Sequence, residues 1–338
     1  MDKPILIDAL YINMGGAFMI LNHLIDCLVA RNVKFVLLKD NRCPELRSEV
    51  DIPQIVVMQA SVRSRCKYYK NHRNDFSKIL SLCNIPPTIK MPAPVFTYIH
   101  NVSLLKIPRT TTFKQRLKNH LKRAYIRHYA KNTDAWVVQT DNTANLVNKY
   151  INRRQLPVDI YPFFHIPNDI NRTPVNERSD YVFIGEYTGA KGHEYLIEAW
   201  QILAKKGIFP ILHLTCNAQN VIPLINLAKR SGAKIENHGY VSVEKVVELY
   251  NKSKATVYPS LNESLGLGIV EAASAGCDVI GCDLPYTRSV CKPSEVFSPC
   301  DAQSIADAVE RYEKSDSPKT ILLIKDRANE LINKLTTI

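Results

Sequence analysis

Two series of short apolar runs alternating with amphipathic stretches, separated by an aperiodic Pro- and Asn-rich interval, constrain this 338-residue chain more than any other feature. Parallel strands need a long crossover between them, commonly a helix, so such alternation predicts parallel α/β sheets and not sandwiches or bundles. The first series opens with a strand over Pro4–Leu10, a Gly15-Gly16 turn, a helix from about Ala17 to Arg31 and a strand over Lys34–Leu38. That is a βαβ unit. Further strand-like runs follow at Ile55–Met58, Pro94–Ile99 and Ala135–Gln139. Between Ile160 and Arg178 the period is lost, which suits a hinge with the domain boundary at 165–178. The alternation then restarts, with strands expected at Tyr181–Gly185, Ile211–Cys216, Lys234–His238, Ala255–Tyr258 and Asp278–Gly281. Helices are expected between them at His193–Lys205, Val221–Ser231, Ser242–Lys252 and Gly266–Ala275. Two Rossmann-like domains, 1–165 and 179–315, follow as the simplest architecture. Residues 316–338 would add a helix, about Lys319 to Lys334, packing back on the first domain.

Composition narrows the class. Hydrophobic residues at 46% and charged residues at 22% are ordinary globular values. The start, MDKPILIDALYINMGG, fits neither a secretory signal nor a spanning helix, so a cytoplasmic location is expected. Nine scattered cysteines show no CxxC, and no histidine is spaced with them for zinc. They read as reduced thiols filling cores. The net charge of +12 is unevenly spread: residues 1–165 carry 25 Lys+Arg against 11 Asp+Glu, and residues 166–338 carry 19 against 21. Such a field attracts nucleic acid, an anionic lipid surface or a phosphorylated acceptor.

Chemistry concentrates in Val257–Gly276, VYPSLNESLGLGIVEAASAG. A strand ends at Tyr258-Pro259, a polar loop carries Asn262, Glu263 and Ser264, and a helix begins near Gly266. Parallel sheets bind ligands outside the carboxyl ends of their strands, and helix N-termini offer free N–H groups to phosphates. With Glu263 in the loop and Glu271 on the first helical turns, both carboxylates can border one crevice. One would accept hydrogen bonds from sugar hydroxyls, the other from a ribose. The alternative is a solvated Glu271 and a Glu263 that merely complements the helix dipole.

This segment resembles the E-x7-E signature of retaining glycosyltransferase family 4, whose members share the GT-B fold of two Rossmann-like domains facing across a cleft. The similarity extends to NHGYVS at Asn237–Ser242 and to FIGEYTGAKGHEYLIEAW at Phe183–Trp200, and covers about residues 180–300. The resemblance implies that Glu263 contacts hydroxyls of the donor sugar, that the backbone of Leu265, Gly266 and Leu267 holds the distal phosphate, and that Ser264 belongs to the donor-binding set. It implies that Glu271 binds the ribose, that Tyr240 and Val241 flank the base beside the Gly185 turn, and that Lys191 neutralises the leaving diphosphate. No DxD-like motif is present, so neither a metal nor another cofactor is expected beyond the nucleotide-sugar co-substrate. One departure stands out: the family pattern has arginine directly after Gly185, and here Glu186 occupies that place. Either Arg288 or an arginine of the first half substitutes, or donor binding is weak, or catalysis has been lost.

In the first half, Gly15 and Gly16 match the family loop that approaches donor phosphate and acceptor; a plain strand–helix turn is the bland reading. His100, ending VFTYIH, matches the family's strand-end histidine that faces the donor sugar. Residues 113–131 carry seven Lys+Arg and no acid, with Phe113, Leu117, Leu121, Ala124 and Tyr125 at helical spacing. Such a helix either packs on the core with a solvated basic face or docks on anionic lipid, where a lipid-diphosphate acceptor is met. No nucleic-acid module accompanies the charge. The function expected is therefore transfer from a nucleotide-sugar donor to a glycan or lipid-linked acceptor in surface polysaccharide synthesis, at the inner face of the plasma membrane. A non-catalytic glycan-binding partner and a sugar-nucleotide epimerase are the alternatives. The missing GxGxxG disfavours a dinucleotide oxidoreductase.

Overall fold

A computed structural model describes residues 3–107, 112–166, 177–217, 219 and 221–337. Contacts divide the chain into two compact units, one formed by Met1–Ile107, Thr112–His165 and Lys325–Ile338, and the other having Ile166–Ile324 as its body. Most of the hinge expected at 165–178, residues 167–176, lies outside the described residues.

The first unit is built on seven strands: β1 (Ile5–Ala9), β2 (Phe35–Asp40), β3 (Ile55–Met58), β4 (Ile79–Ser81), β5 (Val95–Ile99), β6 (Ala135–Val138) and β7 (Val158–Ile160). They run parallel in the order β3-β2-β1-β4-β5-β6-β7. Its helices are α1 (Gly15–Ala30), α2 (Val62–Asn71), α3 (Phe113–Tyr129) and α4 (Asp141–Tyr150). Every residue of β1 is buried, as a central parallel strand covered on both faces must be. Asp8 is the polar exception. Its Oδ2 accepts hydrogen bonds from Arg65 Nε at 2.7 Å and Tyr69 OH at 2.6 Å, while Arg65 also donates to Ser81 Oγ and to the Pro86 and Ile85 carbonyls. Removing either partner of such a buried pair strands the other charge, so this network holds α2 and the loop after β4 to β1.

The second unit has strands β8 (Asp180–Phe183), β9 (Ile211–Leu214), β10 (Lys234–Asn237), β11 (Ser253–Tyr258), β12 (Asp278–Cys282), β13 (Cys291–Lys292), β14 (Glu295–Phe297) and β15 (Ile321–Leu322). Six form a parallel sheet in the order β10-β9-β8-β11-β12-β14, and β13 pairs antiparallel with β15. Helices α5 (His193–Lys205), α6 (Ile222–Arg230), α7 (Val243–Lys252), α8 (Leu267–Ser274), α9 (Pro285–Val290) and α10 (Ala302–Lys314) connect them. The final helix, α11 (Ala328–Thr336), buries Ala328, Leu331, Ile332 and Leu335 in the same core as Ile20, Leu21 and Leu24 of α1. It is shorter than the Lys319–Lys334 helix expected. Asp278 holds the preceding segment extended by accepting from Lys319 Nζ at 2.7 Å and the Thr320 N–H at 3.0 Å, and β15 follows directly.

In each unit the strand order reverses direction once, between β1 and β4 and between β8 and β11. Loops leaving neighbouring strands to opposite sides at that point open a crevice for ligands.

Candidate functional site

At the β8/β11 switch point the two loops are stitched together by backbone. The Ala190 carbonyl accepts the Leu261 N–H at 2.7 Å and lies 3.3 Å from Ser260 Oγ. Gly192, at φ +71°, permits this approach, because a Cβ there would stand 2.6 Å from the Pro259 carbonyl oxygen. Lys191 is thereby brought to Glu263, with Nζ 2.6 Å from Oε1. Ser260 Oγ at 2.6 Å and Tyr258 OH at 3.2 Å donate to the same oxygen. The Lys191 ammonium also stands 5.7 Å from the centre of the Tyr258 ring. Three donors on one carboxylate oxygen fix its rotamer, so Glu263 is preorganised.

Directly after this loop Leu265 is buried and Gly266 caps α8, its carbonyl taking the Ile269 N–H at 2.9 Å. Ser264 is half-buried and Leu267 starts the helix. Glu271 lies one turn in and keeps part of its side chain accessible. Enough protein surrounds its carboxyl to push the pKa up to about 7; Tyr250, donating to Oε2 at 3.3 Å, and the Lys191 charge oppose that rise. Tyr240 is 84% exposed and Val241 half-buried, on a loop braced by Asn237, which exchanges hydrogen bonds with the Cys216 backbone at 3.1 and 2.8 Å. The Gly185 N–H donates to Thr215 Oγ1 at 3.1 Å. Glu186 is exposed and accepts the Asn217 N–H at 3.4 Å. Arg288, the substitute cation considered from sequence, is bound by Asp283 at 2.5 Å.

The first unit carries a cavity of about 570 Å³ at its own switch point. Tyr11 and Asn13 from the loop after β1, Cys83 and Asn84 from the loop after β4, and His100 and Asn101 after β5 line it. His100 is pinned by Asn84: its N–H donates to Asn84 Oδ1 at 2.8 Å, and its Nε2 lies 2.8 Å from Asn84 Nδ2 and 3.0 Å from the Leu82 carbonyl. Burial pulls its pKa down to about 4, so the ring is neutral near pH 7. Gly15 and Gly16 are exposed in the first turn of α1, and the space beside Gly15 is open to 4 Å.

The structure corrects the packed-core reading of α3. Phe113, Leu117 and Leu121 are 83%, 52% and 64% exposed, and the helix packs instead through Asn119, Arg123 and Ile126. Arg123 makes that possible by donating to the Leu104 carbonyl at 3.0 Å and stacking 4.8 Å over Tyr150. Among the described residues, no helix is long and apolar enough to cross a membrane.

Several contributors were not singled out from sequence. Tyr258, at the end of β11, and Ser260, just after it, carry no motif of their own, and their role comes only from their hydrogen bonds to Glu263. His193 is buried at the start of α5, its Nε2 3.1 Å from the Gly185 carbonyl, with its pKa lowered to about 4 by burial. Its position two residues after Lys191 was the available signal. Asn84 could be found only through tertiary contact, because β4 is three residues long.

The fold, seen twice over in these parallel sheets, is GT-B. The chain superimposes on the sucrose-phosphate synthase of Thermosynechococcus elongatus with a TM-score of 0.69 at 15% identity, over 93% of this chain and 90% of that one. It superimposes on WaaG, a glycosyltransferase involved in lipopolysaccharide biosynthesis, with a TM-score of 0.64 at 14% identity, over 99% and 100%. At that identity the likeness establishes the fold alone. Residues 166–329 match the family model described as Glycosyl transferases group 1, which is what the second half of the chain resembles. Escherichia coli serotype-specific mannosyltransferase WbdA is 26% identical over 149 residues, which is 41% of this chain and 18% of that protein.

Proposed function

We propose that the chain is a retaining, metal-independent glycosyltransferase of the family 4 kind. It would move a sugar from a UDP- or GDP-linked donor to a glycan or lipid-diphosphate acceptor in surface polysaccharide assembly, at the cytoplasmic face of the membrane. The Lys191–Glu263 pair at the β8/β11 switch point, beside the N-terminus of α8, carries this reading. A diphosphate needs a cation and unpaired amides, and a sugar needs hydroxyl acceptors, and these lie within one loop pair. The similarity to the serotype-specific mannosyltransferase WbdA supports the polysaccharide setting.

In the proposed step the acceptor oxygen attacks the anomeric carbon on the face the nucleotide leaves. The carbon–phosphate-oxygen bond breaks, its electron pair goes to the phosphate, and that phosphate takes the acceptor's proton. Lys191 and the α8 amides stabilise the growing negative charge. His100, neutral, offers a hydrogen-bonding group within the first unit's own cavity.

Glu186 and the engagement of Arg288 by Asp283 favour one competing reading, a binding partner without transfer. A thermal-shift screen against UDP, GDP, ADP and their sugar conjugates, without metal, followed by NMR of product formed with acceptor, separates them. A shift lost in Glu271→Ala and an α-linked product from an α-linked donor are expected. Nucleotide binding without transfer would favour the partner reading, and no binding to any nucleotide would sink both the donor site and the enzyme.

A further inference from the structure

Strand register assembles a second group of chemically capable side chains on the second unit. His213 on β9 is paired with Glu236 on β10 and with Val182 on β8. Side chains two apart on a strand share a face, so His238 joins Glu236, and Asp180 joins Val182, on the face that presents His213. His213 Nδ1 lies 3.1 Å from His238 Nε2 and 3.4 Å from Glu236 Oε2, and the last two atoms are 4.0 Å apart. Among the described residues, these are the three His, Cys, Asp or Glu side chains whose ligand atoms converge within 4.8 Å.

We propose that His213, Glu236 and His238 form a binding site for a divalent transition-metal ion of the zinc class. Ligands about 2.0 to 2.1 Å from a tetrahedral ion lie about 3.3 Å from one another, close to the separations observed. The tautomer is set correctly from behind: His213 Nε2 stands 3.0 Å from Asp180 Oδ2, so its proton goes to that carboxylate and the Nδ1 lone pair faces the other two ligands. A carboxylate behind a ligating imidazole is the usual outer-shell arrangement of metal sites. Two imidazoles and one carboxylate select zinc-like ions over magnesium or calcium and leave a fourth position for water. The nearby lysines of α7, Lys245 and Lys252, are both held by Glu248, at 2.8 and 2.7 Å, which blunts their repulsion of a cation. A bound ion would tie β9 to the end of β10 and anchor the Gly239–Val241 loop. Only that consequence for nucleotide binding rests on the donor-site reading.

The test uses the full chain, reduced and dialysed against chelator, titrated with Co2+ and followed by visible absorption. One equivalent should give a d–d band without the near-ultraviolet charge-transfer band of a thiolate ligand, and Zn2+ should bleach it. His238→Ala and the more exposed Glu236→Gln should each weaken Co2+ binding at least ten-fold while leaving the metal-free melting temperature unchanged. A thiolate band would show that cysteines hold the ion and overturn the proposal. So would absence of binding, or affinity unchanged in both variants. Nucleotide binding assayed separately by thermal shift keeps failure of this site distinct from failure of the donor site.

Discussion

Lys191 is half-shielded and already neutralised by Glu263, so its charge is positioned before any ligand arrives and needs no reorganisation when phosphate charge develops. Lys191→Ala should lower kcat by about 10²-fold or more, the size typical for loss of one preorganised charge-stabilising donor, with a smaller effect on donor KM. Lys191→Arg should recover part of it; a raised donor KM with kcat unchanged would mean that the lysine only binds. Glu271 gives a pH-dependent companion. Its native pKa of about 7 exceeds the ordinary 4.5, so between those values the native state keeps a proton that the unfolded chain has released. Its contribution to stability therefore falls as pH rises from about 4.5 through about 7. Glu271→Gln, neutral throughout, should gain in melting temperature relative to wild type between pH 5 and pH 8. A difference flat with pH would show that the carboxyl titrates as a solvated one. If the ionised form accepts the ribose hydroxyls, nucleotide affinity should rise over the same window in wild type and stay flat in the variant.

The loop pair after β8 and β11 behaves as one element because Gly192 lets two backbones touch. Gly192→Ala adds left-handed strain to a 2.6 Å approach to the Pro259 carbonyl, and should cost about 2 to 4 kcal/mol, visible in melting temperature and in donor affinity. Gly15 is also left-handed, at φ +63°, but faces open space, so Gly15→Ala should cost only about 1 to 2 kcal/mol. Equal losses would show that backbone strain alone, without the contact, sets the cost at Gly192. Strands such as β1, β2 and β11 were legible in sequence because burial on both faces leaves short runs rich in apolar residues, Ile5–Ile7 in β1, Phe35–Leu38 in β2 and Ala255–Tyr258 in β11, even where Asp8, Lys39 or Thr256 interrupts or ends them. Strands β4 and β7 were not, since three residues carry no period, and Lys78 and Asp159 beside or within them read as loop. The Glu263 to Glu271 spacing was legible because it lies in one contiguous loop and helix. The His213, Glu236 and His238 group was not, because it exists only through the register of β9 with β10. The apolar stripe of α3 was visible, but the side it faces was not: Arg123 can bury its guanidinium only because two loop carbonyls receive it.

Charge at the scale of the molecule is segregated, with an excess of 14 positive charges in residues 1–165 and a deficit of 2 in residues 166–338. α3 sits in the positive part and exposes Phe113 and Leu117 between Lys114, Arg116 and Lys118, a face that water solvates poorly and an anionic bilayer suits on both counts. The two contributions separate by salt. Each lysine near an anionic surface is worth about 1 kcal/mol, screened over about 10 Å at 0.1 M ionic strength, whereas apolar insertion is not screened. Co-sedimentation with phosphatidylglycerol-containing vesicles should therefore weaken as salt is raised. Lys114→Ser/Lys118→Ser should flatten that dependence, while Phe113→Ser/Leu117→Ser should lower affinity at every salt concentration and leave the slope unchanged. Binding that neither pair alters would remove α3 from the membrane face and leave the positive excess to a soluble anionic acceptor.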